Sequence, residues 1–284
     1  MRRASAAREP SIRAEAPFEV PWQRIALLTG LMLLAPIALA AAAPGVLAPH
    51  DPLANVAPAL SPPNAAHPLG SDDLGRDMLA MIVHGARGAL VLALSVAAMA
   101  ITIGILVGVS AGSFGFLVDE AAMRVTEFIK ILPNFLVALL VATLFGPSLW
   151  VIALILGGLS WPGLARMVRA ETVVQRQREH VLAARALGAH PVAIAWRHIL
   201  PAAARPAIAV FAPVATGAIL AEAGLGYLGL SDASTISWGD LIRNGQAFYA
   251  HGWWLSVFPG LAIVVTCVGV ALTGESLARS VARY

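Results

Sequence analysis

The sequence predicts an all-α, polytopic membrane protein with six transmembrane helices and both termini in the cytoplasm. Three observations predict it. Hydrophobic residues make up 58% of the 284 and charged residues only 12%, where a soluble domain carries roughly 25% charged residues. Long apolar runs recur along the chain, each near the roughly 20 residues an α-helix needs to cross the hydrocarbon core. The basic residues, finally, are segregated between alternate segments flanking those runs, the pattern that orients membrane helices.

Taken in order, residues 1–24 read as a cytoplasmic disordered tail, since Arg, Ala, Ser, Glu and Pro alternate there with no apolar period. The first span is predicted at 25–47. Its apolar core ends in Ala40-Ala41-Ala42-Ala43, which resembles a small-residue cleavage site, but the length of the run and Pro44 directly after the alanines predict a retained anchor. Segment 48–87 is an outer loop with an amphipathic helix. Ser71 is a good N-cap there, Asp72 and Asp73 suit a helix's positive end, and Leu74, Met78, Met81 and Ile82 line one face.

The remaining residues, 88–284, form a core with five further spans near 88–112, 128–147, 149–165, 206–224 and 253–273. Gly146-Pro147-Ser148 joins the third and fourth spans as a tight hairpin. Trp22, Trp150, Trp161, Trp253 and Trp254, five of the 7 tryptophans, fall at predicted interfaces as an aromatic belt. Pro133 and Pro213 interrupt backbone hydrogen bonding and allow kinks.

Orientation follows from charge. With the N-terminus inside, sixteen of the 19 Lys and Arg residues lie on inner segments, and only Arg76, Arg87 and Arg243 lie outside. The basic excess that gives a pI near 9.6 is thus topological and calls for no nucleic acid. Outer segments carry instead a mild acidic excess from Asp51, Asp72, Asp73, Asp77, Asp232 and Asp240.

Several function classes are excluded. The sole lysine, Lys130, precedes Ile131 with no glycine loop before it, so no Walker-type phosphate loop exists. The single cysteine, Cys267, forms neither an intrachain disulfide nor a thiolate cluster. His50, His67, His84 and His251 fit no metal-ligand spacing, and the outer aspartates form no calcium loop. No hydrolase motif is present, so the chain is not read as an enzyme. No span carries an ionisable group near its centre, Glu222 being closest, which argues against an ion-coupled carrier or channel acting alone. Gly104, Gly108, Gly157, Gly158 and Gly217 instead suit close helix packing.

The inner loop 166–205 is the polar exception, with six arginines between Arg166 and Pro201. No proline or glycine interrupts 166–187, so one helix is predicted, with Val174, Val181 and Leu187 on its apolar side. Gly188 suits a left-handed helix end, and Pro191 suits the first turn of a second helix that stops before Leu200-Pro201. Ala183, Ala184 and Ala186 leave a small-residue surface at this corner. The residues alone fit either a linker lying on lipid headgroups or a docking point for another protein.

A family resemblance bears on that choice. Ala183, Ala184, Gly188, Leu200 and Pro201 resemble the cytoplasmic EAA motif of ABC importer permeases. Leu182 stands where that motif has glutamate and His198 where it has isoleucine; Ala189 and His190 complete the corner. His67-Pro68-Leu69-Gly70-Ser71-Asp72-Asp73-Leu74-Gly75-Arg76-Asp77 is similar to the outer signature of the dipeptide/oligopeptide/nickel permease family. WPGLARMVRAE, GYLGL, SWGDLI and WWLSVFPGLAI resemble further segments of it.

The resemblance implies a type I ABC permease fold in the cytoplasmic membrane of a bacterium or archaeon. It also implies a second, homologous permease subunit, two ATPase subunits that use ATP and Mg²⁺, and a periplasmic or lipid-anchored solute-binding protein. No cofactor is implied for this chain. Di- or oligopeptides, or a similar small polar solute, are the expected cargo, with nickel and glutathione systems sharing these motifs.

Overall fold

The computed structural model describes residues 22–281, so most of the tail predicted to be disordered lies outside the described residues. Helices dominate, and among the described residues there is no sheet, only the isolated bridges Asn55–Arg76 and Ser71–Asp77. Five helices or helix pairs are long and apolar enough to cross a membrane, and a sixth crossing is available if one sharply bent pair counts as a span.

The first span is α1 (Trp22–Ala42), which continues past Pro36, followed by one turn, α2 (Pro44–Leu47), opened by Pro44 at a position where a missing N–H costs nothing. A long loop leads to α3 (Met78–Ser113), a single helix of 36 residues. At ~1.5 Å per residue it is about 54 Å long, well beyond the ~30 Å hydrocarbon core. The predicted outer amphipathic helix and second span are therefore one element, with no break near residue 87. The helix starts at Met78 because Gly70 and Gly75 both have positive φ, +76° and +77°, which no helix accommodates. Its N-cap is Asp77, whose carboxylate accepts from the Ala80 N–H; Ser71 is not a cap, and Leu74 is a loop residue, half exposed.

The third predicted span is two helices, α4 (Phe116–Ile131) and α5 (Asn134–Phe145), bent by 74°. Pro133 causes the break: it has no N–H to offer the preceding turn, and it pushes Leu132 into the extended region at ψ 126°. After the Gly146 turn, α6 (Leu149–Ser160) and α7 (Pro162–Gln175) run on with only a local interruption at Trp161.

The predicted helix over 166–187 is broken at Arg176–Arg178, so that α8 (Glu179–Ala186) starts in a new phase. Val181 is consequently buried, whereas Val174 and Leu187 are exposed. Beyond the corner, α9 (Pro191–Ile194) passes through a wide π-helical turn, Ala195–Ile199, into α10 (Leu200–Ala203). The chain thus stays helical through Leu200-Pro201. The wider turn lies directly before Pro201, which cannot supply an N–H.

The last elements are α11 (Pro206–Tyr227), α12 (Trp238–Gly245) and α13 (Trp254–Val281). Helix α11 is continuous through Pro213. Helix α3 is the central post. Gly104, Gly108 and Gly112, four residues apart, form a stripe against α7: a Cβ at Gly108 would lie 2.6 Å from the Ala165 carbonyl oxygen, and one at Gly112 2.5 Å from Thr172 Cγ2. Two predicted belt tryptophans are buried instead. Trp161 packs beside Ala100 and Ala165, and Trp254 donates its indole N–H to the Ser71 carbonyl at 3.1 Å.

Candidate functional site

Two sets of sequence-predicted residues come together at opposite ends of α3. At its last turns sits the corner between α8 and α9. Gly188 has φ +79°; its N–H bonds the Arg185 carbonyl and the Ala189 N–H bonds the Ala184 carbonyl, at 3.0 and 3.1 Å. This paired pattern closes a helix C-terminus with a left-handed residue, a conformation that glycine adopts without Cβ strain. His190 then caps α9 by accepting the Val192 N–H at 3.3 Å on Nδ1.

The corner is anchored from beneath. Val181, Ile194 and Ile199 are buried with Val109 of α3 and Val168 of α7, and Ala184, Ala189 and Leu200 pack partly against them. The outward side is different. Leu182, Val192 and Trp196 are each about half exposed, Leu187 is 88% exposed, and Ala183, His198 and Pro201 also face outward. His180 and His198 lie close, with ring centroids 6.4 Å apart. Leu182, at the position of the motif glutamate, lines a 290 Å³ crevice with Arg176 and Arg185.

Contacts that the sequence does not announce hold this end to the helix bundle. Arg169 makes a bidentate pair with Asp119 of α4. Arg176 donates to the Gly112 carbonyl at 2.7 Å. These pairs lie 50 and 64 positions apart, and no local spacing flags them. Gly112 was not singled out from the sequence, although it extends the four-residue period of Gly104 and Gly108.

At the other end of α3, the His67–Asp77 signature folds into a loop whose residues explain one another. Pro68 occupies the second position of a turn closed by Gly70 N–H to the His67 carbonyl at 2.9 Å. A Cβ on Gly70 would lie 2.7 Å from the Ser61 carbonyl and 2.9 Å from Trp254 Nε1. Asp72 Oδ1 accepts from the Leu74 and Arg76 N–H groups, and its Oδ2 accepts from Arg76 Nε at 2.6 Å. Gly75 lies against Ala57, where a Cβ would be 2.2 Å from the carbonyl oxygen. His67 Nδ1 is 3.4 Å from Asp77 Oδ1, and Leu69 packs against the main core.

Nearby, Asp232 reaches back across 83 positions to accept the Leu149 N–H at the start of α6. That bond, with the Ser234 hydroxyl and N–H, holds its carboxyl below the ordinary value of 3.8.

A long helical post thus joins the broken inner loop at one end to the self-bonded signature loop at the other. Residues 104–283 match the family described as "Binding-protein-dependent transport system inner membrane component". The chain belongs to this family. It is a multi-pass inner-membrane permease component of an ABC importer, not an enzyme, and it works with ATPase and substrate-binding partners.

Relatives agree over most of its length. It is 33% identical over 250 residues to a "Putative peptide transport system permease protein" of Brucella suis, covering 87% of this chain and 84% of the relative. It is 34% identical over 233 residues to the "Probable D,D-dipeptide transport system permease protein DdpC" of Escherichia coli, covering 81% and 78%. It is 30% identical over 283 residues to the "Di/tripeptide transport system permease protein DppC" of Pseudomonas aeruginosa, covering 95% and 93%.

Proposed function

We propose that this permease imports di- or oligopeptides as one half of a heterodimeric pore, and that the Gly188 corner is where an ATPase subunit grips it. The observation that carries the coupling role is the corner itself. Its backbone is fixed by paired hydrogen bonds and a buried cluster, while Leu182, Leu187, Val192 and Trp196 stay exposed around it. A rigid element whose outer side sets exposed apolar groups among Arg185, Arg197 and His198 suits force transmission, because apolar surface left in water is best covered by a partner. Three relatives named for peptide transport support the cargo class.

In this reading both termini and the 166–205 loop face the cytosol, and the His67–Asp77 loop faces the solute-binding protein. ATP-driven closure of the ATPases moves the corner. That motion passes through the Val181–Val168 cluster and the α3 glycine stripe into the spans, switching the pore between inward- and outward-facing states. This chain binds no nucleotide; ATP and Mg²⁺ act on the partner subunits.

Reconstitution tests the proposal. Vesicles holding both permeases and the ATPases, given the binding protein and labelled peptide, are expected to take up peptide only with ATP. Equal uptake by this chain alone would reject the subunit role.

A further inference from the structure

Beside the bend between α4 and α5 lies a cavity of 510 Å³ that the coupling role leaves unused. One wall is a single face of α11, where Val210, Pro213, Gly217 and Ala221 recur at three- and four-residue spacing. Its polar groups are few: Lys130, Asn134 and Ser160. Lys130 is the only lysine of the chain and stands in the last turn of α4. Asn134 opens α5, whose first turn has no side-chain cap, so its N–H groups add positive partial charge to that of the lysine. The Ser160 hydroxyl donates to the Leu156 carbonyl at 2.6 Å, which leaves its lone pairs to accept. No aspartate or glutamate lines the cavity among the described residues.

An apolar wall of small groups beside an exposed lysine and an uncapped helix start suits an elongated molecule that ends in an anion. We propose that this cavity is a transit site for the carboxylate end of the cargo, with Lys130 as its charged contact and Ser160 accepting an amide N–H from the same chain. The α11 wall, built from small and aliphatic groups, then tolerates varied side chains. This proposal rests on the peptide-import reading above.

The test compares a short peptide bearing a free C-terminal carboxylate with the same peptide as its C-terminal amide. Both are first titrated against the binding protein, and uptake is then measured at equal receptor loading in vesicles holding the complete importer. Lys130→Met is expected to lower uptake of the acid about tenfold, the lower end of what a hydrogen bond to a charged group is worth, with a much smaller effect on the amide. Lys130→Arg, which keeps the charge, is expected to restore the acid-to-amide ratio.

An unchanged ratio in Lys130→Met, including an equal fall for acid and amide, would overturn the carboxylate site while leaving peptide import standing. Absence of ATP-dependent uptake of either peptide by the unmodified importer would overturn both.

Discussion

Replacing Gly188 separates a backbone effect from a steric one, because a Cβ at this position would meet nothing within 4 Å. What glycine supplies is its φ of +79°. An L residue held in that region costs about 1–2 kcal/mol, which changes the population of the closed corner by roughly 5–30-fold. Gly188→Ala should therefore weaken the corner by about that amount. Gly188→Asn should cost less, since asparagine enters the left-handed region more readily. Gly188→Val should cost most, because its branched Cβ is the least compatible with positive φ.

The assay is uptake per ATP hydrolysed in vesicles holding the complete importer, with insertion checked by the yield of assembled complex. Coupling is expected to fall in the order Gly, Asn, Ala, Val. Normal coupling in Gly188→Val would refute the reasoning. So would an asparagine variant as impaired as the valine one, because bulk at the surface would then matter more than backbone conformation.

Other outcomes follow from the packing and charges. Gly108→Val forces atoms into the Ala165 carbonyl and Val168, and overpacking of this kind costs about 1–3 kcal/mol; thermal unfolding in detergent should show the loss, while Gly45→Ala, with nothing within 4 Å, should not. Asp119→Asn breaks a bidentate pair whose arginine side chain is 37% exposed, so solvent screening holds the cost to under about 1 kcal/mol, and a melting point shifted by as much as that of Gly108→Val would contradict it. Asp232 has a lowered folded pKa, so its stabilising effect is present above the ordinary 3.8 and is lost as pH falls through the folded value. The difference in melting temperature between the parent and Asp232→Ala should shrink from pH 6 toward about pH 3; a constant gap would contradict the capping role.

Much of the fold was legible because the physics that decides it is local. Hydropathy over a window sets where helices can cross the bilayer, and turn chemistry at Gly146, Gly188 and Pro191 can be read from neighbours alone. Within the corner, Gly188 and Pro191 needed only a left-handed helix end and a first helical turn, whereas the cap made by His190 appeared only in the fold. The signature loop was legible as a motif but not as a mechanism. Asp72 bonds its own turn and Asp77 caps α3, a division of labour that composition cannot assign.

The sequence by itself determined that this is a helical membrane protein, because apolarity and the length of each apolar run are properties of the chain as written. Tertiary structure alone decided what meets across distance. Arg169 finds Asp119, Trp254 finds Ser71, and Asp232 caps α6 from 83 positions away. It also decided which apolar residues are buried: the break at Arg176–Arg178 reset the helical phase, turning Val181 inward and Leu187 outward. A helical period predicts a face only while the helix is unbroken, and whether it breaks depends on the neighbours it packs against.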